Sequence, residues 1–169
     1  MNHRDDSEVD LHRVDAFTSE AERKIEEFLR SAPAPPQPEE RRAPESSLYQ
    51  RIGYAGGLLS LVNRLYLRVL ADPLLMAYFK HLDDEHLQWL RWHMLTLLAV
   101  VTGGPSKYWG RDLHEAHADL HITEEAFDRL LWLVQGTLQE LGVQREDEQA
   151  ILAEVRARRA AVVTFEDAV

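Results

Sequence analysis

The chain has no cysteine among its 169 residues. That excludes disulfides, thiol catalysis, thiolate zinc sites and cysteine-ligated iron–sulfur clusters. Long hydrophobic runs are also missing: the best, Met94 to Val101, falls well short of the ~18 residues a spanning helix needs. The opening Met1-Asn2-His3-Arg4-Asp5-Asp6 is too polar for a signal peptide. No basic stripe is present. Lys and Arg number 19 against 29 Asp and Glu, a formal charge of −10, and the acids are dispersed, so nucleic acid is not an expected partner. Neither GxGxxG, for a flavin or nicotinamide cofactor, nor HExxH, for a zinc protease, occurs. No segment alternates apolar and polar residues with a period of two, and no internal repeat stands out. A soluble, cytoplasmic protein without membrane insertion is expected.

What is present suffices for one domain with an appendage: 45% apolar and 8% aromatic residues can build a core. Five of the seven prolines lie between Pro33 and Pro44. Proline lacks an amide hydrogen and disfavours helix at the residue before it, so this stretch reads as an extended linker. Upstream, Ala21, Ile25, Phe28 and Leu29 share one helical stripe, too short on apolar mass to stand alone. Residues 1–47 therefore read as a flexible, acidic, Pro-rich extension whose helix docks only if a surface is offered. From residue 48 to 169 the pattern is helical. Gly56 to Leu70 and His86 to Val101 carry wide apolar stripes. Thr123 is placed to cap a helix that opens with Glu124 and Glu125 and ends at Gly142. A last helix is expected from about Glu146 to Val162. The fold class is all-α.

Six of the eight histidines fall between His81 and His121. His114, His117 and His121 share one face if their segment is helical. Imidazole is the usual protein ligand for zinc and for haem iron. Three histidines plus water make a known zinc arrangement, though ligands so close in sequence normally draw a third from another element. Solvated surface histidines remain the plain alternative.

The surrounding string runs from Gly103-Gly104-Pro105 through Tyr108-Trp109-Gly110 and Leu113 to His117, then to Ile122-Thr123. It resembles the central stretch of the group I truncated haemoglobins. Leu48-Tyr49-Gln50-Arg51-Ile52-Gly53, the run Tyr66-Leu67-Arg68-Val69-Leu70-Ala71-Asp72-Pro73, and Tyr78-Phe79 extend the likeness over about residues 48–162. The resemblance implies a two-over-two helical sandwich around a haem b (iron protoporphyrin IX). It implies His117 as proximal iron ligand, Phe79 stacked on the porphyrin, and Tyr66 as the distal hydroxyl. Leu90, His93, Met94, Leu97 and Leu98 fall on the distal helix, and Tyr108 is a further haem-binding candidate. It further implies binding or transport of O2, NO or CO. Oxidation of NO to nitrate or weak peroxidase chemistry would need an external electron donor.

Departures from the family pattern shape these expectations. Leu90 and Met94 stand where relatives often place polar residues, which leaves Tyr66 nearly the only direct donor to a bound ligand. His93 lies beside Met94, where some relatives supply a sixth iron ligand; a propionate or solvent contact is its alternative. Gly53-Tyr54 replaces an early Gly-Gly. Bulky Leu90, Met94, Trp92 and Trp132 also suit a haem-free interaction module on the same scaffold, and the N-terminal segment suits a signalling globin.

Overall fold

Helix starts are set by short polar side chains that accept the otherwise orphaned first-turn amides. The computed structural model describes residues 23–25, 27, 46–104 and 111–165. Ser47 opens α1 (Leu48–Arg51) with a complete capping box: its hydroxyl accepts from the Gln50 amide at 3.2 Å, and Gln50 Oε1 accepts from the Ser47 amide at 2.7 Å. Asp72 caps α3 (Pro73–Met76), with proline at the first helical position, where its missing N–H costs nothing. Asp83 caps α4 (Asp84–Val101), and Asp112 caps α5 (Leu113–His117). Thr123 caps α6 (Glu124–Glu140) through the Ala126 amide at 3.1 Å, and Gly142 follows its end at φ 70°, as the sequence pattern predicts. The expected last helix is divided in two. Arg158 leaves helical geometry between α7 (Arg145–Ala157) and α8 (Arg159–Val162).

The start of α2 (Tyr54–Ala71) shows how the altered glycine pair is accommodated. Gly53 is left-handed at φ 98°, and Tyr54 is left-handed too, at φ 59°. A tyrosine there pays the steric cost that glycine avoids. Its ring packs edge-on against Tyr49, with centroids 5.5 Å apart. The turn brings Gly57 so close to α1 that a Cβ would lie 1.7 Å from the Ile52 carbonyl oxygen, so a side chain cannot fit.

Among the described residues the regular structure is all helical. α2 is the hub and packs on α4 and α6, while α6 packs on α7. Arg129 at the start of α6 meets Asp72 at the end of α2, and Glu140 at the end of α6 pairs with Arg64 and Arg68. The two helices therefore run antiparallel. One core cluster joins α2, α3, α6 and α7 through residues such as Leu65, Val69, Leu133 and Ile151. A second joins α2 and α4 through Leu58, Val62, Leu95 and Ala99, and Ile25 from the N-terminal extension is buried in it. Residues 23–25 and 27 are helical. No helix among the described residues is long and apolar enough to cross a membrane.

Candidate functional site

α5 is five residues long, too short to hold itself by its own hydrogen bonds. Asp72-style capping recurs here: the Asp112 carboxylate accepts from the His114 amide at 2.9 Å. At its C-terminal end the His117 ring nitrogen Nδ1 lies 2.6 Å from the Leu113 carbonyl oxygen. A carbonyl only accepts, so Nδ1 carries a proton, and in the neutral tautomer this selects, Nε2 has the lone pair. Nε2 makes no hydrogen bond among the described residues. A metal-binding histidine is normally held this way, its second nitrogen tied to an acceptor that fixes tautomer and ring orientation. His114 and His121 are exposed. The helix ends at His117, and His121 lies beyond it in left-handed geometry at φ 53°, with its ring edge-on to Phe165. The expectation that three histidines share one helical face is thus corrected. No group of three or more His, Asp or Glu among the described residues is placed to hold a metal ion, so the zinc arrangement has no support.

α4 presents two unlike faces. Leu95, Thr96 and Ala99 are buried, whereas Leu90, His93, Met94, Leu97 and Leu98 are only half-buried. Phe79 follows α3, half-buried, with its amide donating to the Met76 carbonyl at 3.0 Å. Phe79, Met94, Leu98 and Ile122 all pack against the α2–α6–α7 cluster. Large apolar side chains left half-covered in this way suit a flat apolar group. Together with the carbonyl-held imidazole of His117, this side-chain chemistry fits haem iron. Tyr108 lies outside the described residues.

Tyr66 is half-buried in α2, and its hydroxyl donates to the Leu87 carbonyl in the first turn of α4 at 3.2 Å. Burial away from solvent pushes its pKa up to about 12, against a smaller opposing effect of Arg91. It is a neutral donor whose one proton is already engaged, a partner that the resemblance does not predict. His93 is partly buried, which holds its pKa below the ordinary histidine value and keeps the imidazole neutral near pH 7. Its ring lies 6.2 Å from that of Trp89. Thr96 donates its hydroxyl to the carbonyls of Trp92 and His93.

Two further groups near the site were given no role by the sequence reasoning. Arg91, one residue from Leu90, donates from Nε to Asn63 Oδ1 at 2.6 Å and from a guanidinium nitrogen to Gln88 at 3.1 Å. It brings a fixed positive charge to the Tyr66 side of α4; Asn63, one turn before Tyr66, was the available signal. Asp72 is buried and held by Arg129 Nε at 2.6 Å while it caps α3. That pins the segment leading to Phe79. The Arg129 guanidinium bond, more than the amide bonds, keeps the Asp72 carboxyl below the usual carboxylate range.

Comparison with known proteins agrees with this geometry. Residues 47–164 match the model of the bacterial-like globin family. A group 1 truncated hemoglobin of Tetrahymena pyriformis is 32% identical over 97 residues, covering 57% of this chain and 78% of that protein. One from Synechocystis sp. is 32% identical over 116 residues, covering 66% of this chain and 88% of that protein. The crystal structure of the 2/2 hemoglobin from Synechococcus sp. PCC 7002, in the cyanomet state with covalently attached heme, superposes with a TM-score of 0.65 at 27% identity, covering 70% of this chain and 98% of that one. The helical fold and these matches together establish that the chain belongs to the bacterial-like globin family, as a group I truncated haemoglobin with the two-over-two fold.

Proposed function

We propose that this chain holds a b-type haem through His117 and binds O2, NO or CO reversibly at its ferrous iron. Haem-based binding of diatomic ligands goes with membership of the globin family. To that we add His117 as the ligand and a non-covalently held haem. The observation that carries it is the bond from His117 Nδ1 to the Leu113 carbonyl at 2.6 Å, which presents Nε2 as an iron ligand. When bound, haem supplies the coordination of the gas and, with a reductant, the means to oxidise NO to nitrate.

The chain's own residues do the rest. Phe79, Met94 and Leu98 provide apolar walls and exclude water. Tyr66 offers a neutral hydroxyl. His93 is the candidate sixth ligand, kept neutral by burial. Without a GxGxxG segment the electrons come from a separate protein or a small reductant.

The test is spectroscopic. Purified protein reconstituted with hemin should show a Soret band, and acidified butanone should extract the haem. The extraction separates this chain from the relative whose heme is covalently attached. His117→Ala should abolish the band, while His114→Ala and His121→Ala should keep it. Equal loss in all three variants, or no band with excess hemin, overturns the proposal. The second outcome would favour the haem-free interaction module.

A further inference from the structure

We propose that Thr164, in the C-terminal segment, is a positioning residue for His117; the inference rests on the haem reading above. Four bonds tie this segment to the proximal loop. The Thr164 hydroxyl donates to the His117 carbonyl at 3.2 Å and accepts from the Ile122 amide at 3.1 Å. The Thr164 and Phe165 amides both donate to the Ile122 carbonyl, at 3.0 and 3.1 Å. Phe165 also lays its ring against that of His121, at 6.1 Å and near perpendicular. The one hydroxyl thus bridges both ends of the loop between His117 and Ile122.

The need for such a clamp follows from the shortness of α5. His117 is its last residue, so the His117 carbonyl has no helical N–H to accept from. It accepts instead from the Leu120 amide at 3.0 Å and from Thr164. The ring is therefore fixed at two points: Nδ1 on the Leu113 carbonyl, and the backbone on Thr164. Removing the second lets the Cα of His117 shift while the first still fixes the tautomer. A histidine so loosened would present Nε2 to a bound haem less uniformly.

The approach of the C-terminal segment depends on the break at Arg158. Its guanidinium turns back to the Glu154 carbonyl at 2.6 Å and carboxylate at 2.9 Å. α8 then packs on α5, and the chain leaves it towards Ile122. Continuing α7 as one straight helix would carry residues 163–165 along its own axis.

The test compares Thr164→Val, which keeps the shape and removes both hydroxyl bonds, with Thr164→Ser, which keeps them. In the valine variant hemin loss should speed up about five- to thirty-fold, the equivalent of one to two hydrogen bonds. The iron–histidine stretch of the ferrous protein should shift, and in the apoprotein the Ile122 amide should exchange faster. The serine variant should behave as wild type in all three. Valine values equal to wild type overturn the inference, as does a serine variant that loses hemin as fast as valine, since packing and not the hydroxyl would then carry the effect. A wild-type protein without a Soret band fails earlier and overturns the haem reading itself, a result distinct from either.

Discussion

Tyr66→Phe deletes one hydroxyl and keeps the ring, and the structure fixes how much that can change. A tyrosine has a single proton to donate, and here the Leu87 carbonyl receives it at 3.2 Å. To stabilise bound O2, which carries partial negative charge, the hydroxyl must give up that neutral bond and form a stronger, charge-assisted one. A neutral hydrogen bond is worth about 1 kcal/mol and one to a charged group about 2 kcal/mol. The net gain on binding is therefore about 1 kcal/mol, near five-fold in the O2 dissociation rate. A free hydroxyl would give the full charge-assisted bond, about thirty-fold. CO carries less charge, so its dissociation should change by less than about two-fold on the same reasoning. Stopped-flow replacement of O2 by CO measures the first rate, and replacement of CO by NO the second. The raised phenol pKa of about 12 keeps the donor protonated throughout the accessible pH range, so the ratio should be flat from pH 6 to about 9. An O2 rate unchanged by the substitution means that the hydroxyl never leaves Leu87. A thirty-fold rise means that the Leu87 bond does not compete, and a strong pH dependence means that another group is the donor.

His93→Leu removes the candidate sixth ligand: wild-type ferrous protein should show a low-spin component, and the variant a five-coordinate spectrum with faster ligand entry; identical spectra and kinetics would place His93 away from the iron. Tyr54→Gly relieves left-handed strain of about 1 kcal/mol but gives up an edge-on ring contact of similar size, so thermal stability should barely move. Tyr54→Val keeps the left-handed strain, adds β-branched crowding at φ 59° and loses the ring contact, so it should be destabilised by at least about 1 kcal/mol. Asp72→Asn weakens the bond to Arg129 and should lower the melting temperature at pH 7. Because the folded Asp72 pKa is depressed, its stabilising effect is present above the unfolded carboxylate value of about 3.9. It is lost as pH falls through the folded value, so the wild-type and Asn melting curves should converge in acid and stay apart at neutral pH.

Much of the fold was legible because helix boundaries are local. Thr123 with Glu124 and Glu125, Gly142, and the apolar stripes of α2 and α4 each act within a turn or two of chain, and each is found where the pattern puts it. The break at Arg158 was not legible, since neither glycine nor proline marks it. What it accompanies lies far away in sequence: beyond it the Thr164 and Phe165 amides donate to the Ile122 carbonyl. His121 was misplaced for a related reason. A left-handed residue ends a run, and histidine at φ 53° gives less warning than glycine would.

For the candidate site, sequence could name His117 and Tyr66 but neither Thr164 nor the acceptors. His117, Tyr66 and Thr164 are each fixed by a main-chain carbonyl: Leu113, Leu87 and His117 respectively. Every residue supplies the same carbonyl, so no residue type marks which one will serve, and only the folded backbone selects it. The consequence bears on what substitution can reveal. Changing the side chain of Leu113 or Leu87 leaves the acceptor in place, so scanning those positions reads packing alone. The acceptors are moved only through the helices that carry them. α5 is held at its start by Asp112 and at its end by Thr164, whereas Leu87 sits in the first turn of α4, behind the Asp83 cap. Loss of a cap would therefore reach the Tyr66 hydroxyl or the His117 imidazole without touching it. Mutating Asp83 should loosen the hold on Tyr66 and leave His117 unaffected, while mutating Asp112 should do the reverse. On the proposed reading, the proximal and distal halves of the site would then be tuned by separate caps on separate helices.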